Sequence, residues 1–141
     1  MAYRKIAHWL KGSDASAKAL EVAVDLAKAY GAALQSVAVE PAPHYYGDIG
    51  EASEAERVVS GETGKLLEFA RQEAARRGVE IETYVVFGQK GDAVAEFARA
   101  GRFDLLVVGA QGKSGFIKRL VSASAWQRVA RKAPCDVLIV R

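Results

Sequence analysis

The sequence predicts an α/β fold: a single doubly wound, five-stranded parallel sheet with four helices, one domain over residues 1–141. Two observations carry this. Short apolar runs alternate with helix-period segments along the whole chain, the pattern that repeated βαβ units leave in a sequence. The 141 residues, half of them hydrophobic and 26% charged, suffice for one ordinary core. Neither an internal repeat nor a low-complexity tract interrupts the alternation.

The first strand is read from Lys5 to Leu10. Gly12-Ser13-Asp14 follows, and Ser13 or Asp14 is the expected N-cap of a helix whose Ala17, Leu20, Val24 and Ala27 recur at helical spacing. Gly31 is its expected C-cap. Leu34 to Val39 is the second strand; Pro41 and Pro43 end it and open a loop through Gly50. Ala52 to Arg77 carries a long helical pattern with Leu66, Ala70 and Ala74 on its buried side. Gly61 and Gly64 weaken its first half and predict a late start or a break. Arg76 and Arg77 suit its C-terminal end, and Gly78 closes it. Val79, Ile81, Thr83 and Val85 alternate with Glu80 and Glu82, as in a strand with one wet face near a sheet edge. Asp92 is the expected cap of a short helix with Val94, Phe97 and Ala98, ending at Gly101. Leu105 to Val108 is the fourth strand. Ser124 to Lys132 is the fourth helix, with Trp126, Val129 and Ala130 facing inward, and Val137 to Val140 is the last strand.

Composition narrows the function. No apolar run reaches the roughly 18 residues that cross a bilayer. Met1-Ala2-Tyr3-Arg4-Lys5 leads into a short strand rather than an apolar signal core, so a cytoplasmic protein is expected. The lone cysteine, Cys135, is read as a small buried residue. His8 and His44 share no ligand spacing, and no metal site is expected; His8 is read as a hydrogen-bonded core histidine. Net charge is +3, but from Ala110 to Arg141 seven bases face one acid, Asp136. Such a C-terminal third suits an anionic ligand or is a solvated surface.

The motif that bears on chemistry is Gly109-Ala110-Gln111-Gly112-Lys113-Ser114-Gly115, which follows a wholly apolar strand and leads toward a helix. Glycines let backbone N–H groups turn toward a ligand, and a helix start adds unpaired donors and a positive dipole end. Gly112-Lys113-Ser114 is not a P-loop, because the glycine such a loop needs earlier is Val107. No Ser-His-Asp set or isolated acid–base pair stands out, so no catalytic residue is nominated and the protein is read as a binder, not an efficient enzyme.

Gly109 and Gly112, the run Gly115-Phe116-Ile117-Lys118-Arg119-Leu120, the ending Ala133-Pro134-Cys135-Asp136-Val137-Leu138-Ile139-Val140-Arg141, and the opening Lys5-Ile6 through Gly12-Ser13 together resemble the universal stress protein family over essentially the whole chain. The resemblance implies strand order 3-2-1-4-5 and a crevice between strands one and four. It also implies an adenine nucleotide, ATP or AMP, bound there, with magnesium accompanying ATP as an option and slow ATP hydrolysis left open. Val39 and Val108 would contact the adenine, with Trp9 either lining that side or simply packing in the core. Gly109, Gly112, Ala123 and Ser124 would surround the phosphates, and Lys113 and Lys11 would supply positive charge. It further implies a homodimer through strand five, whose Val137, Leu138, Ile139 and Val140 would otherwise leave an apolar edge unpaired.

Two departures from the family pattern matter. Lys11 stands where nucleotide-binding members usually carry an aspartate. A carboxylate accepts hydrogen bonds from ribose hydroxyls, whereas an ammonium only donates, so Lys11 either attracts phosphate or blocks the crevice. The closing Gly-Ser of the family signature reads Ala123-Ser124, with ten residues between Gly112 and Ala123 instead of nine. The expectation is therefore a stress-response protein that binds an adenine nucleotide. The alternative is a nucleotide-free dimeric interaction module of the same fold. Nucleic-acid binding ranks last, because no aromatic–basic motif supports it.

Overall fold

A computed structural model describes residues 3–41, 60–110 and 125–141. Along the chain the elements are β1 (Lys5–Trp9), α1 (Asp14–Tyr30), β2 (Ala33–Glu40), α2 (Gly61–Arg76), β3 (Glu82–Phe87), α3 (Lys90–Ala100), β4 (Leu105–Gly109), α4 (Ala125–Lys132) and β5 (Asp136–Val140). The five strands form one parallel sheet in the order β3-β2-β1-β4-β5.

The central strands are buried on both faces, and their side chains alternate between two cores. Ile6, Leu10, Leu34, Ala38, Leu105 and Val107 join Leu20, Val24, Ala70 and Ala74 under α1 and α2. Ala7, Trp9, Leu106 and Val108 join Val94, Ala98 and Val129 under α3 and α4. Helices therefore cover both sheet faces, as continuous apolar strands require.

Helix ends follow local chemistry. Ser13 is the N-cap of α1: its extended backbone turns the hydroxyl onto the Ser16 N–H at 3.1 Å. Gly31 ends the helix at φ +65°, where a side chain would be strained. Ser13→Ala should cost about 1 kcal/mol of stability, read as a lowered urea midpoint. The late start or break expected at Gly61 and Gly64 falls at the first of them: α2 begins at Gly61 under a Ser60 cap on the Thr63 N–H. The earlier part of that pattern, residues 52–59, lies outside the described residues.

Three expectations are corrected. Asp92 does not cap α3: the helix starts at Lys90 with Gln89 at the N-cap, because the Ala93 N–H already bonds the Gln89 carbonyl at 2.7 Å. Asp92 instead sits in the first turn and reaches α4, 2.9 Å from Lys132 and 3.6 Å from Arg128. Ala130 is exposed, since Val129 alone turns fully into the core from this short helix. The third strand pairs only from Glu82, opposite Gln35; Val79 and Ile81 pack on the α2 side before the ladder begins. It is a sheet edge, as its alternation implied.

Candidate functional site

Strand order reverses between β1 and β4, and open α/β sheets hold ligands beyond the strand C-termini at that point. The two lips are the β1–α1 turn and the end of β4. They touch backbone to backbone: a Cβ on Gly109 would lie 2.4 Å from the Ala15 carbonyl carbon and oxygen and 2.7 Å from the Ser16 nitrogen. Only glycine lets β4 approach the first turn of α1 this closely. The positive end of α1 is thereby held beside the mouth of the switch point.

Beneath the turn lies a buried polar cluster. His8 and Ser16 are fully buried. The Nε2 of His8 is 3.0 Å from the Ser16 carbonyl, which can only accept, so the proton belongs on Nε2. Nδ1 then accepts from the Ser36 hydroxyl at 2.8 Å. The Ser16 hydroxyl accepts the Lys11 N–H at 2.8 Å and donates to the Trp9 carbonyl at 3.3 Å. Burial is the main cause that lowers the His8 pKa to about 4, against the bond to Ser16, so the ring is neutral at pH 7.

Of the residues singled out from sequence, Trp9, Val39 and Val108 share the α3/α4 face of the sheet. Trp9 is 1% exposed, and the Lys11 ammonium lies 4.2 Å from its ring centroid, a cation–π contact within the range where such pairs attract. The spacing of two residues leaves Trp9 and Lys11 on one side of the chain. Val108 is fully buried and Val39 half-buried. Gly109 pairs with Val140, and the next N–H, that of Ala110, extends the ladder to the Val140 carbonyl at 2.8 Å. The Ala110 N–H is therefore already used within the sheet. Gly112, Lys113, Ala123 and Ser124 lie outside the described residues, so their positions are not brought into this geometry.

The sequence reading did not find the Ser36 partner of His8 or the role of Ser16. His8 stands opposite Ser36 in the β1–β2 register, a pairing that only the parallel alignment reveals. It also missed the half-buried Glu40 at the C-terminal end of β2. Glu40 accepts the Ser60 N–H at 2.9 Å, and that bond holds its carboxyl below the ordinary range.

The model of the universal stress protein family matches residues 2–141. The chain belongs to that family. Universal stress protein YxiE of Bacillus subtilis is 33% identical, covering 99% of this chain and 99% of its own length. A universal stress protein of Methanocaldococcus jannaschii is 30% identical, covering 99% of this chain and 82% of its own. Among solved structures, a universal stress protein crystallised in complex with cAMP is 31% identical with a TM-score of 0.76, covering 100% of this chain and 98% of that one. In this universal stress protein, no helix among the described residues is long and apolar enough to cross a membrane.

Proposed function

We propose that this universal stress protein binds an adenine nucleotide, ATP or AMP, at the β1/β4 switch point, as a cytoplasmic homodimer that signals in the stress response rather than turning over substrate. The observation that carries the reading is the meeting of the α1 N-terminus with the end of β4 at Gly109, while the Lys11 ammonium lies over the Trp9 ring at the C-terminal end of the neighbouring β1. That corner combines a positive dipole end with a cation, the electrostatics an anion needs. Val39, half-buried on the Trp9 face of the sheet, gives an apolar wall for a base. The 31% identical relative in complex with cAMP supports the ligand class. Strand β5 lies at the sheet edge with Val137, Leu138, Ile139 and Val140 half-buried, which supports pairing with a second copy there.

A second reading, a nucleotide-free interaction module, draws on two observations. Lys11 covers the Trp9 ring, and the Ala110 N–H is already used within the sheet. Calorimetric titration of the protein with ATP and with AMP, its assembly state checked by sedimentation, separates the two. Heat that saturates at one site per chain is expected, and the absence of heat at millimolar nucleotide would end the nucleotide reading. If the Lys11 ammonium attracts the phosphates, Lys11→Asp removes that cation and weakens binding about tenfold or more. A gain in affinity would show instead that Lys11 obstructs the crevice.

A further inference from the structure

At the opposite end of the sheet, where the strands begin, a cavity of about 630 Å³ opens between Tyr3, Tyr30, Phe103, Asp104, Cys135 and Asp136. Four separate segments build it: the approach to β1, the last residue of α1, the turn into β4, and the turn into β5. Tyr3 and Tyr30 meet edge to face, centroids 5.7 Å apart at 81°, so their rings form a corner rather than a stack. Phe103 forms part of the wall. The two carboxylates are fixed in place. Asp104 accepts the backbone N–H groups of Arg4 at 3.0 Å and Lys5 at 3.1 Å, and Asp136 accepts the Tyr3 hydroxyl at 2.7 Å.

We propose that this cavity is a binding site for a small free organic cation of the alkylammonium class, separate from the nucleotide crevice. Three features converge on that chemistry. Aromatic faces attract a weakly hydrated cation through their quadrupoles, and alkylammonium groups are the ligands that corners of such rings hold best. Two carboxylates line the cavity and, among the described residues, no Lys, Arg or His does; the Lys5 ammonium lies 4.8 Å from the Phe103 ring centroid and is bonded to the Gly101 carbonyl at 2.6 Å, so the ring corner offered to a ligand is that of Tyr3 and Tyr30. The C-terminal end of α1, whose last residue Tyr30 lines the cavity, brings its negative dipole end to the same place. A metal ion has less to gain here, since the rings of Tyr3, Tyr30 and Phe103 offer no ring-carbon lone pairs to ligate it.

Two titratable groups in the wall report the same field. The Tyr3 hydroxyl is pushed up first by its bond to Asp136 and further by the charges of Asp136 and Asp104. The Cys135 thiol is pushed up first by burial and then by those two carboxylates. The carboxylate contributions to both shifts have the sign that favours a cation, whereas the burial of Cys135 disfavours charge of either sign.

The experiment pairs choline with its neutral carbon isostere, dimethylbutanol, and follows the Tyr3 and Tyr30 ring resonances by NMR. Saturable shifts with choline, at least fivefold tighter than with the isostere, are expected from the strength of exposed cation–π and ion contacts. Asp136→Asn and Tyr30→Leu should each reduce that preference about threefold or more while leaving the weak binding of the isostere in place. Equal affinity for the two compounds would reduce the cavity to an apolar dent and overturn the proposal. So would the absence of saturable shifts, or a preference that survives both substitutions undiminished. If a variant fails to fold, the choline-to-isostere ratio on the unaltered protein still decides.

Discussion

At pH 4 the protein should be about 3 kcal/mol less stable toward unfolding than at pH 7, and most of that loss should disappear in His8→Gln. The sign follows from where the proton goes. An unfolded histidine takes a proton near pH 6.5, whereas in the fold the buried, doubly hydrogen-bonded ring takes one only near 4. Between those values the unfolded chain binds more protons, so stability falls as pH falls. The contribution is complete above pH 6.5 and is lost progressively down to about pH 4. A shift of that size, at about 1.4 kcal/mol per unit, sets the magnitude. Glutamine keeps a donor and an acceptor in roughly the same volume but does not titrate.

Urea midpoints at pH 7, 5.5 and 4 for both proteins supply the measurement. Carboxylates add a separate acid sensitivity lower down. Glu40, held by the Ser60 N–H, and Asp92, held by Lys132, are both lowered, so their contributions are present at neutral pH and fade as pH falls through their own range. The His8→Gln protein should retain that second limb. If both proteins lost stability in parallel between pH 6.5 and 4, the buried ring would not be the cause. Ser36→Ala tests the same unit from the other side, because it leaves a buried ring nitrogen without its donor.

Gly109→Ala should be the most damaging single methyl group added to the described residues of the sheet, at about 3 kcal/mol. The new carbon would stand 2.4 Å from the Ala15 carbonyl, and the obstacle is backbone, which has no rotamer to change. Either β4 ends early or the first turn of α1 moves away, and both separate the lips of the switch point. The melting temperature should fall by roughly 10 °C, and nucleotide affinity should fall with it, measured under conditions where the variant remains folded. Gly64→Ala is the control. It sits exposed within α2 with open space around its would-be Cβ, so it should be neutral or stabilise by up to about 1 kcal/mol. A Gly109→Ala protein as stable as the unaltered one would show that α1 and β4 do not need this contact.

The elements and their faces were legible because their causes are local. The unbroken apolar run Leu105 to Val108 marks a strand buried on both faces, and period 3.6 in Leu20, Val24 and Ala27 states which side of the first helix meets a core. Gly31 and Ser13 mark a helix end and start by backbone conformation and side-chain reach, which depend on a few neighbouring residues. The misplaced cap at Asp92 shows the limit of such signals. An acidic side chain favours the whole first turn, so it does not say which residue begins the helix. Ala130 failed for a related reason, since eight residues of helix give two turns and the buried stripe is one residue wide.

The site was legible only in outline. The Lys11–Trp9 contact follows from a spacing of two, and Gly109 from its place after an apolar strand. Residues Gly112, Lys113, Ala123 and Ser124 carry the remaining phosphate expectations and lie outside the described residues. What the order of residues determined by itself is an alternating α/β chain whose glycines and serines punctuate it. Tertiary structure alone decided that His8 meets Ser36, 28 positions away, that β4 lies against the backbone of α1, and that Tyr3 reaches Asp136 across 133 positions. Those meetings depend on strand register and on how helices settle onto a twisted sheet. Both are properties of the whole packed core, and no short window of sequence contains them.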